Sequence, residues 1–284
     1  MSFPMTLLFG LFLRSVFLAS AAPADSADDL VRQAKAALAN GKVDQALTLA
    51  DQAITADGKN AQAFFVRGMV HEVQEKHTEA IADFTKAITL DPKAVEAYQH
   101  RGYEQFKLAH IKESITDFDK YLELRPDRVP YNWQRGIAYY YAGRYEDGQK
   151  QFEVHQKVNP NDVENAVWRY LCMAKAAGLD KARETLLPIE NDTRVPMMTI
   201  YDLFRGKVKP EKVLEAAAAG KPPANQLKGQ LFYAHLYLGL YYEAAGENKK
   251  AFEHLQKAAK DYRVKGYMWD VARVHLELLG KNQR

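Results

Sequence analysis

Few residues of this sequence combine a reactive side chain with the spacing that chemistry needs. His71-Glu72 begins a pattern close to HExxH, but the second zinc-ligating histidine would have to stand where Glu75 stands, and the next histidine is His77. Cys172 has no CxxC partner and lies in an apolar stretch, which indicates a buried side chain rather than a nucleophile. No phosphate-binding GxxxxGK(S/T) loop and no GxSxG turn occurs. We therefore predict no catalytic residue, no metal site and no cofactor, and a protein that is not an enzyme.

The composition narrows the functional classes further. The chain has 284 residues, of which 47% are hydrophobic and 26% are charged, as in ordinary folded proteins. That balance excludes wholesale disorder, a collagen-like chain and a multispan membrane protein. The 39 Lys and Arg residues against 36 Asp and Glu residues are too balanced to indicate a nucleic-acid binder. With a single cysteine, the chain can form neither an internal disulfide nor a thiolate zinc cluster.

Four residue types recur three times each at an interval of 34. They are Gly68, Gly102 and Gly136; Phe84, Phe118 and Phe152; Pro92, Pro126 and Pro160; and Arg67, Arg101 and Arg135. A glycine inside a helix costs about 1 kcal/mol relative to alanine, so the recurring glycine predicts a close helix crossing. The phenylalanine would fill the space between helices, and the proline would end the second helix, because the residue before proline avoids the helical conformation. Each period is therefore predicted to be a hairpin of two antiparallel helices.

This pattern resembles the tetratricopeptide repeat family. The units are Ala27–Asn60, Ala61–Ala94, Val95–Arg128 and Val129–Asp162, and the first is a weaker copy with Ala34 in place of the glycine. The resemblance implies an all-α fold: a right-handed superhelical solenoid of helical hairpins whose first helices line the concave side. It also implies a scaffold that binds one or more proteins or peptides.

The repeat pattern is interrupted and then returns. Residues 22–162 hold the four N-terminal units, and residues 163–231 are predicted to form a degenerate helical pair, a loop and short helices. Residues 232–284 are predicted to contain one more unit and a C-terminal capping helix over Gly266–Leu279. That helix would cover the apolar end of the stack.

The recurring arginines have two interpretations. Asp83 and Asp117 also repeat at an interval of 34, on the second helix of the units that carry Arg67 and Arg101. A hairpin can bring such residues together as an inter-helix ion pair, which we favour over ligand binding. The next unit has Gln151 at this position, so its arginine is expected to lack a charged partner.

The concave face is the predicted partner site. In the family, the groove-facing positions are the second, fifth, sixth, ninth, twelfth and thirteenth of each unit. The residues predicted there to bind a partner are Phe65, Met69, His100, Tyr103, Trp133, Gln134, Tyr140 and Tyr141. Exposed aromatic and methionine side chains bury a large area at low entropic cost. The alternative is that several of them pack against the returning unit or the interior of the superhelix.

One binding mode of the family is not expected here. Chaperone-binding tetratricopeptide domains clamp a terminal carboxylate with Lys and Asn on the first helix, Asn on the next, and Lys and Arg on the third, in that order. The matching positions in this chain are Val31, Lys35, Val66, Glu96 and His100, and none has the required type. We therefore do not expect capture of an Hsp70 or Hsp90 tail.

A narrower resemblance is carried by WRYL at 168–171 and YLGLYY at 237–242, which are similar to segments of NlpI-type envelope proteins. That resemblance implies a homodimeric adaptor that presents substrates to an envelope protease and contacts cell-wall hydrolases. NlpI-type proteins are lipoproteins with an acylated cysteine, and this sequence has no cysteine near its start.

Residues 1–21 are predicted to be a signal peptide. The apolar runs at 6–13 and 16–22 are too short and broken for a transmembrane anchor, and Ala19-Ser20-Ala21 suits cleavage before Ala22. We therefore expect an exported adaptor, periplasmic or secreted. Because Arg14 interrupts the apolar run and no Lys or Arg precedes it, a cytoplasmic scaffold is the alternative. A third hypothesis is an enzyme or small-ligand binder that uses residues 168–223.

Overall fold

The computed structural model describes residues 25–281, and that part of the chain is helical, without a β-strand. Its α-helices are α1 Ala27–Ala39, α2 Val43–Ala56, α3 Ala61–Val73, α4 His77–Leu90, α5 Val95–Lys107, α6 Ile111–Leu124, α7 Trp133–Tyr141, α8 Tyr145–Gln156, α9 Val163–Ala177, α10 Leu179–Glu184, α11 Met197–Phe204, α12 Glu211–Ala218, α13 Ala224–Ala244, α14 Asn248–Gln256 and α15 Tyr267–Lys281. Successive helices pack on one another as hairpins, so the predicted all-α hairpin fold is confirmed. Within 25–281, no helix combines the length and apolar character that a bilayer span requires. The predicted signal peptide lies outside the described residues.

The first helices of several hairpins begin at a polar side chain that caps them. Ser26, Asn60, Asn132 and Asp162 each accept a hydrogen bond from a backbone N–H in the first turn of α1, α3, α7 and α9. These bonds satisfy donors that the helix itself leaves unpaired. The start of each of these helices is thus encoded locally, in the residue just before it.

The recurring glycines lie at close helix crossings, as the spacing predicted. A Cβ atom added at each of them would be nearer to the phenylalanine sixteen residues later than real Cβ contacts allow. The pairs are Gly68–Phe84 at 2.6 Å, Gly102–Phe118 at 2.8 Å and Gly136–Phe152 at 2.7 Å. Only a residue without a side chain allows the second helix to approach so closely. The returning unit repeats this arrangement with Gly239 and Leu255, at 2.6 Å.

The recurring arginines form inter-helix pairs, as predicted. Arg67 donates to both carboxylate oxygens of Asp83 at 2.8 Å, and Arg101 donates to those of Asp117 at 2.8 and 2.6 Å. The expectation that Arg135 lacks a charged partner is wrong. Its guanidinium donates to Gln151, and it also bonds Asp119 of the preceding second helix at 2.8 Å.

The C-terminal half is organised around one continuous core. The irregular helices α9–α12 and the 21-residue helix α13 enclose large buried side chains, including Trp168, Tyr170, Phe204 and Tyr237. Helix α13 begins at Ala224, eight residues before the predicted repeat at 232, and this helix packs on α12 and α11. The interruption of the repeat pattern is therefore a packed part of the fold rather than an open linker.

The last helix reaches further than the sequence indicated. As expected for a helix that covers the final hairpin, α15 packs on α14, but it also contacts α5, a first helix of the N-terminal repeats. Arg273 donates to the backbone carbonyl of Lys107, and Arg263 forms an ion pair with Glu75. The C-terminal segment, which runs from Arg263 through α15, therefore lies against the concave side of the N-terminal hairpins.

Candidate functional site

The N-terminal part of the groove carries a row of half-buried rings. The ring centroids of Phe65 and His100 lie 5.4 Å apart, and those of His100 and Tyr103 lie 6.2 Å apart. Met69, on the same helix as Phe65, is also half-buried. The structure thus brings these four predicted contacts together on α3 and α5, on one face and partly open to solvent.

Beside this row lies an ionic network that sequence reasoning missed. Glu72 accepts a hydrogen bond from His100 at 2.7 Å, and the fully buried Glu104 bonds His77 at 2.6 Å and pairs with Lys107. Burial raises the pKa of the Glu72 carboxyl, but the His100 hydrogen bond and charge, together with Lys107, outweigh burial and leave this pKa below its ordinary value. The network fixes charged groups at the edge of the groove.

Two further predicted contacts, Trp133 and Gln134, face the chain's own C-terminal segment. The Trp133 ring lies edge-on to Tyr267, with centroids 5.4 Å apart. Tyr267 is also stacked on Phe106 at 5.0 Å and touches Tyr103 at 5.7 Å. The middle of the groove is therefore occupied by an aromatic side chain of the same molecule.

Tyr140, also predicted as a partner contact, is a core residue in this structure, and Tyr141, predicted with it, is half-buried against the same core. Tyr140 is only 5% exposed, and its hydroxyl donates to Glu243 at 3.2 Å. The Tyr141 hydroxyl bonds His275 at 2.9 Å, and both rings pack against Trp168. Burial raises the pKa of both phenols well above the usual range. The alternative interpretation, packing against the returning C-terminal part, describes these two residues because α13 and α15 close over α7.

An open cavity of about 710 Å³ lies between the groove and the C-terminal segment. Glu72, Val73 and Glu75 from the end of α3 form one side, and residues 263–270 form another. Tyr103 and Gln134 also line it, so the cavity continues the row of rings described above. Val73, on this wall, is 57% exposed.

A second, smaller cavity of about 330 Å³ lies on the other side of the same C-terminal segment. Aromatic rings and an ionic cluster line it. Trp133 was predicted as a groove contact, and Trp168 and Arg194 belong to the region 168–223 of the third hypothesis. The cluster consists of Arg194, which bonds Asp162, Glu164 and Asp192 at 2.6 Å each. Burial is the main cause that raises the pKa of Glu164, to about 7, against the opposing charge of Arg194.

Cys172 and His71, the residues first considered for chemistry, lie in surroundings that give them a role in the fold rather than in catalysis. Cys172 is buried, and loss of solvation raises its thiol pKa to about 12, which keeps it protonated. His71 lies 3.6 Å from Asp83, next to the Arg67 pair, rather than facing a second histidine. In the part of the chain that the structure describes, no group of three or more His, Cys, Asp or Glu side chains is arranged to hold a metal ion.

Comparison with known proteins identifies the repeats. Models of the tetratricopeptide repeat match residues 31–95, 95–128 and 233–263. Among solved structures, a tetratricopeptide repeat protein from Parabacteroides merdae is similar, with a TM-score of 0.59 and 16% identity over 89% of this chain and 98% of that chain. None of the curated proteins matches the chain.

Two shorter structures match just over half of the chain. YrrB, described as a tetratricopeptide repeat protein with an unusual peptide-binding site, has a TM-score of 0.51 and 22% identity over 56% of this chain and 86% of its own. MamA has a TM-score of 0.51 and 17% identity over the same shares. At such low identities, the likeness shows the fold alone.

Proposed function

This chain is a tetratricopeptide repeat protein, and from that premise we propose that it is a non-catalytic adaptor that binds an extended segment of a partner protein. The binding surface is the open part of the groove on α3 and α5. The observation that carries this proposal is the row of Phe65, Met69, His100 and Tyr103, half-buried and continuous with the 710 Å³ cavity. Rings held in place by their neighbours lose little entropy when a peptide covers them.

The surroundings of this row suit a peptide rather than a small substrate. Charged groups of both signs line the cavity, where Glu75 pairs with Arg263 and Glu72 lies 3.7 Å from Lys107. Such groups can pair with the polar backbone and mixed side chains of a segment several residues long. Because the clamp positions hold Val, Lys, Glu and His side chains, the proposed mode is recognition along the segment rather than capture of its terminal carboxylate.

We test the groove by photo-crosslinking. A photoreactive amino acid should trap the same partner in the native host from Met69 or from Gln99, whose amide donates to the Tyr103 hydroxyl at 2.7 Å. The same group at Thr116, which is exposed on the second helix α6, should not. Equal crosslinking from all three positions, or none from the two groove positions, would refute the proposal.

A matched pair of charge insertions adds a quantitative test. Met69→Lys introduces an ammonium group into the apolar row and should weaken capture of the crosslinked partner at least tenfold. Thr116→Lys introduces the same group on the outer surface and should leave capture unchanged. Both variants should keep the helical circular dichroism of the wild-type protein.

We further propose that the adaptor works in an exported compartment, as NlpI-type envelope proteins do, and that its partners include an envelope protease or a cell-wall hydrolase. The support is the apolar N-terminal pattern with Ala19-Ser20-Ala21 and the resemblance at 168–171 and 237–242. N-terminal sequencing of the protein from its native host decides the export claim. A mature chain that begins at Ala22 supports it, and an intact Met1 contradicts it.

A further inference from the structure

The 330 Å³ cavity has the features of a ligand site in its own right. Its volume falls in the range of about 300–1,000 Å³ that small-molecule sites occupy. The chain has three tryptophans, Trp133, Trp168 and Trp269, and all three line this cavity, together with Tyr233 and Tyr267. The faces of aromatic rings carry negative electrostatic potential and attract cations, tryptophan most strongly.

The ionic cluster at the cavity wall has an excess of negative charge. Asp162, Glu164 and Asp192 share one guanidinium, that of Arg194, whose Nε, Nη1 and Nη2 atoms all already donate to these carboxylates. When the three carboxylates are ionised, two negative charges have no cation of their own within the cluster. Lys265 of the C-terminal segment also lines the cavity, but this residue is exposed to solvent.

Three residues of the lining carry buried polar atoms without a hydrogen-bond partner. They are Trp168 Nε1, Asn165 Oδ1 and the Tyr267 hydroxyl. An unpaired buried polar atom costs stability, so several of them around one cavity indicate a missing partner. Asn165 and Tyr267 can accept hydrogen bonds from a cationic donor, whereas the Trp168 N–H needs an acceptor such as a carbonyl or hydroxyl.

We propose that this cavity binds the ammonium or guanidinium end of an apolar chain that carries a carbonyl or hydroxyl group close by. Two sources share this chemistry. One is a Lys or Arg side chain of a peptide lying in the groove, because residues 264–267 and 269 line both cavities. The other is a free small-molecule amine. The site stands independently of the groove proposal, since a free amine needs no peptide.

The charge state of Glu164 supports the proposal. Burial raises the pKa of this carboxyl to about 7, Arg194 opposes that rise and Asp162 adds to it. A bound cation favours the ionised form, so affinity should rise between pH 6 and 8. The other titratable or charged groups that face the site are His155 from α8, Asp162, Asp192 and Arg194 around the start of α9, Tyr233 and Tyr237 from α13, and Lys265 and Tyr267 from the C-terminal segment.

The three tryptophans allow a direct binding experiment on the full chain. Tryptophan fluorescence and the three indole N–H signals in an NMR spectrum are followed while Nα-acetyl-lysine amide or Nα-acetyl-arginine amide is added. The neutral control is Nα-acetyl-norleucine amide, which keeps the apolar chain but has no charge. We expect at least tenfold tighter binding of one of the cationic probes.

Two variants assign the effect to the cluster. Glu164→Gln keeps the shape of the side chain. It should reduce the affinity for the cationic probe to the affinity for the norleucine probe. Glu113→Gln, the same change on the exposed face of α6, should leave the affinity unchanged. If Glu164→Gln does not fold, the pH profile of the wild type decides, because the lysine or arginine probe should tighten from pH 6 to 8 while the norleucine probe stays constant.

A lysine-centred pentapeptide and its norleucine counterpart distinguish the two sources. A pentapeptide that binds at least tenfold tighter than the amino-acid amide indicates a side chain of a groove-bound peptide, and equal affinities indicate a free amine. The proposal is overturned if neutral and cationic probes bind alike, if the wild-type pH profile is flat, or if neither amides nor pentapeptides shift an indole signal.

Discussion

The N-terminal hairpins α1–α4 and the C-terminal helices α7–α15 are built by different kinds of packing. In α1–α4, buried residues form small separate clusters dominated by alanine and valine, such as the cluster of Ala34, Ala50 and Val66. In α7–α15, one continuous cluster contains large rings such as Trp168 and Phe204. Burial of large rings contributes more free energy per residue than burial of alanine.

The difference separates two kinds of binding surface. Each N-terminal hairpin packs mainly on its neighbours in sequence, so this part behaves as a nearly one-dimensional stack. Its open groove on α3 and α5 suits the extended partner proposed above. The C-terminal part is connected by distant pairs, such as Tyr140 with Glu243 and Tyr237 with Glu164, and it encloses a defined cavity. A defined cavity selects one chemical group rather than a range of segments.

The largest effect on stability is expected when a buried phenylalanine ring is deleted, once in each of the two parts. Phe204→Ala should lower the free energy of unfolding by about 3–5 kcal/mol, because the ring is fully buried against Tyr170 and Tyr241. Hydrogen exchange should then show lost protection in α9, α11 and α13 but not in α1–α4. Phe84→Ala, also at a fully buried ring, should lose protection mainly in α3–α6. Loss of protection throughout the chain in both variants would show one cooperative unit instead of two.

The second-largest effect is expected at a long-range ionic contact of the C-terminal part, that of Glu243 with His275 and Lys175. Burial raises the pKa of Glu243, but the hydrogen bond and charge of His275, with Lys175, outweigh burial and lower it to about 2. This carboxylate therefore stabilises the fold above its unfolded pKa, and the contribution is lost as the pH falls from about 4.5 toward 2. Glu243→Gln should cost about 2 kcal/mol at pH 7 and progressively less below pH 4.5 in urea unfolding. An equal cost at pH 7 and pH 3 would contradict this account.

A glycine pair tests the close helix crossings. Gly102→Ala places a Cβ 2.8 Å from the Phe118 ring and should lower the free energy of unfolding by about 1–3 kcal/mol, despite the better helix propensity of alanine. Gly229→Ala in α13 meets no atom within 4 Å and should raise it by about 0.5–1 kcal/mol. Thermal unfolding measures both. A stabilising Gly102→Ala would remove the packing explanation for the recurring glycine.

The smallest effect concerns the arginine pairs. Gln151 already accepts hydrogen bonds from Arg135 where the two preceding units have aspartate, so Asp117→Asn should cost no more than about 1 kcal/mol. Burial raises the pKa of Asp117 against the lowering effect of Arg101, so this group makes the protein less stable as the pH rises above about 3.8, and the asparagine variant should lack that slope. Chemical unfolding between pH 3 and 6 checks both expectations. A cost of several kcal/mol would show that the negative charge itself is needed.

The repeat hairpins could be predicted from the sequence more completely than the candidate groove. The glycine, phenylalanine and arginine spacings predicted the hairpin crossings and the Arg67–Asp83 pair because those contacts join residues sixteen positions apart within one unit. Which groove residues are exposed to solvent was harder to predict from the sequence. Tyr140 and Phe65 stand at family groove positions, yet only Phe65 is partly open, because α13 and α15 close over α7 and not over α3.

The periodic part of this protein, helical hairpins of 34 residues with a small residue at each crossing, can be predicted from the order of its residues alone. Those features depend on contacts between neighbours in the chain. Tertiary structure alone decided that the C-terminal segment lies in the groove and that all three tryptophans meet Arg194 and its carboxylates at one cavity. Their positions span residues 133 to 269, and contacts over such separations depend on how the whole core packs rather than on any local pattern.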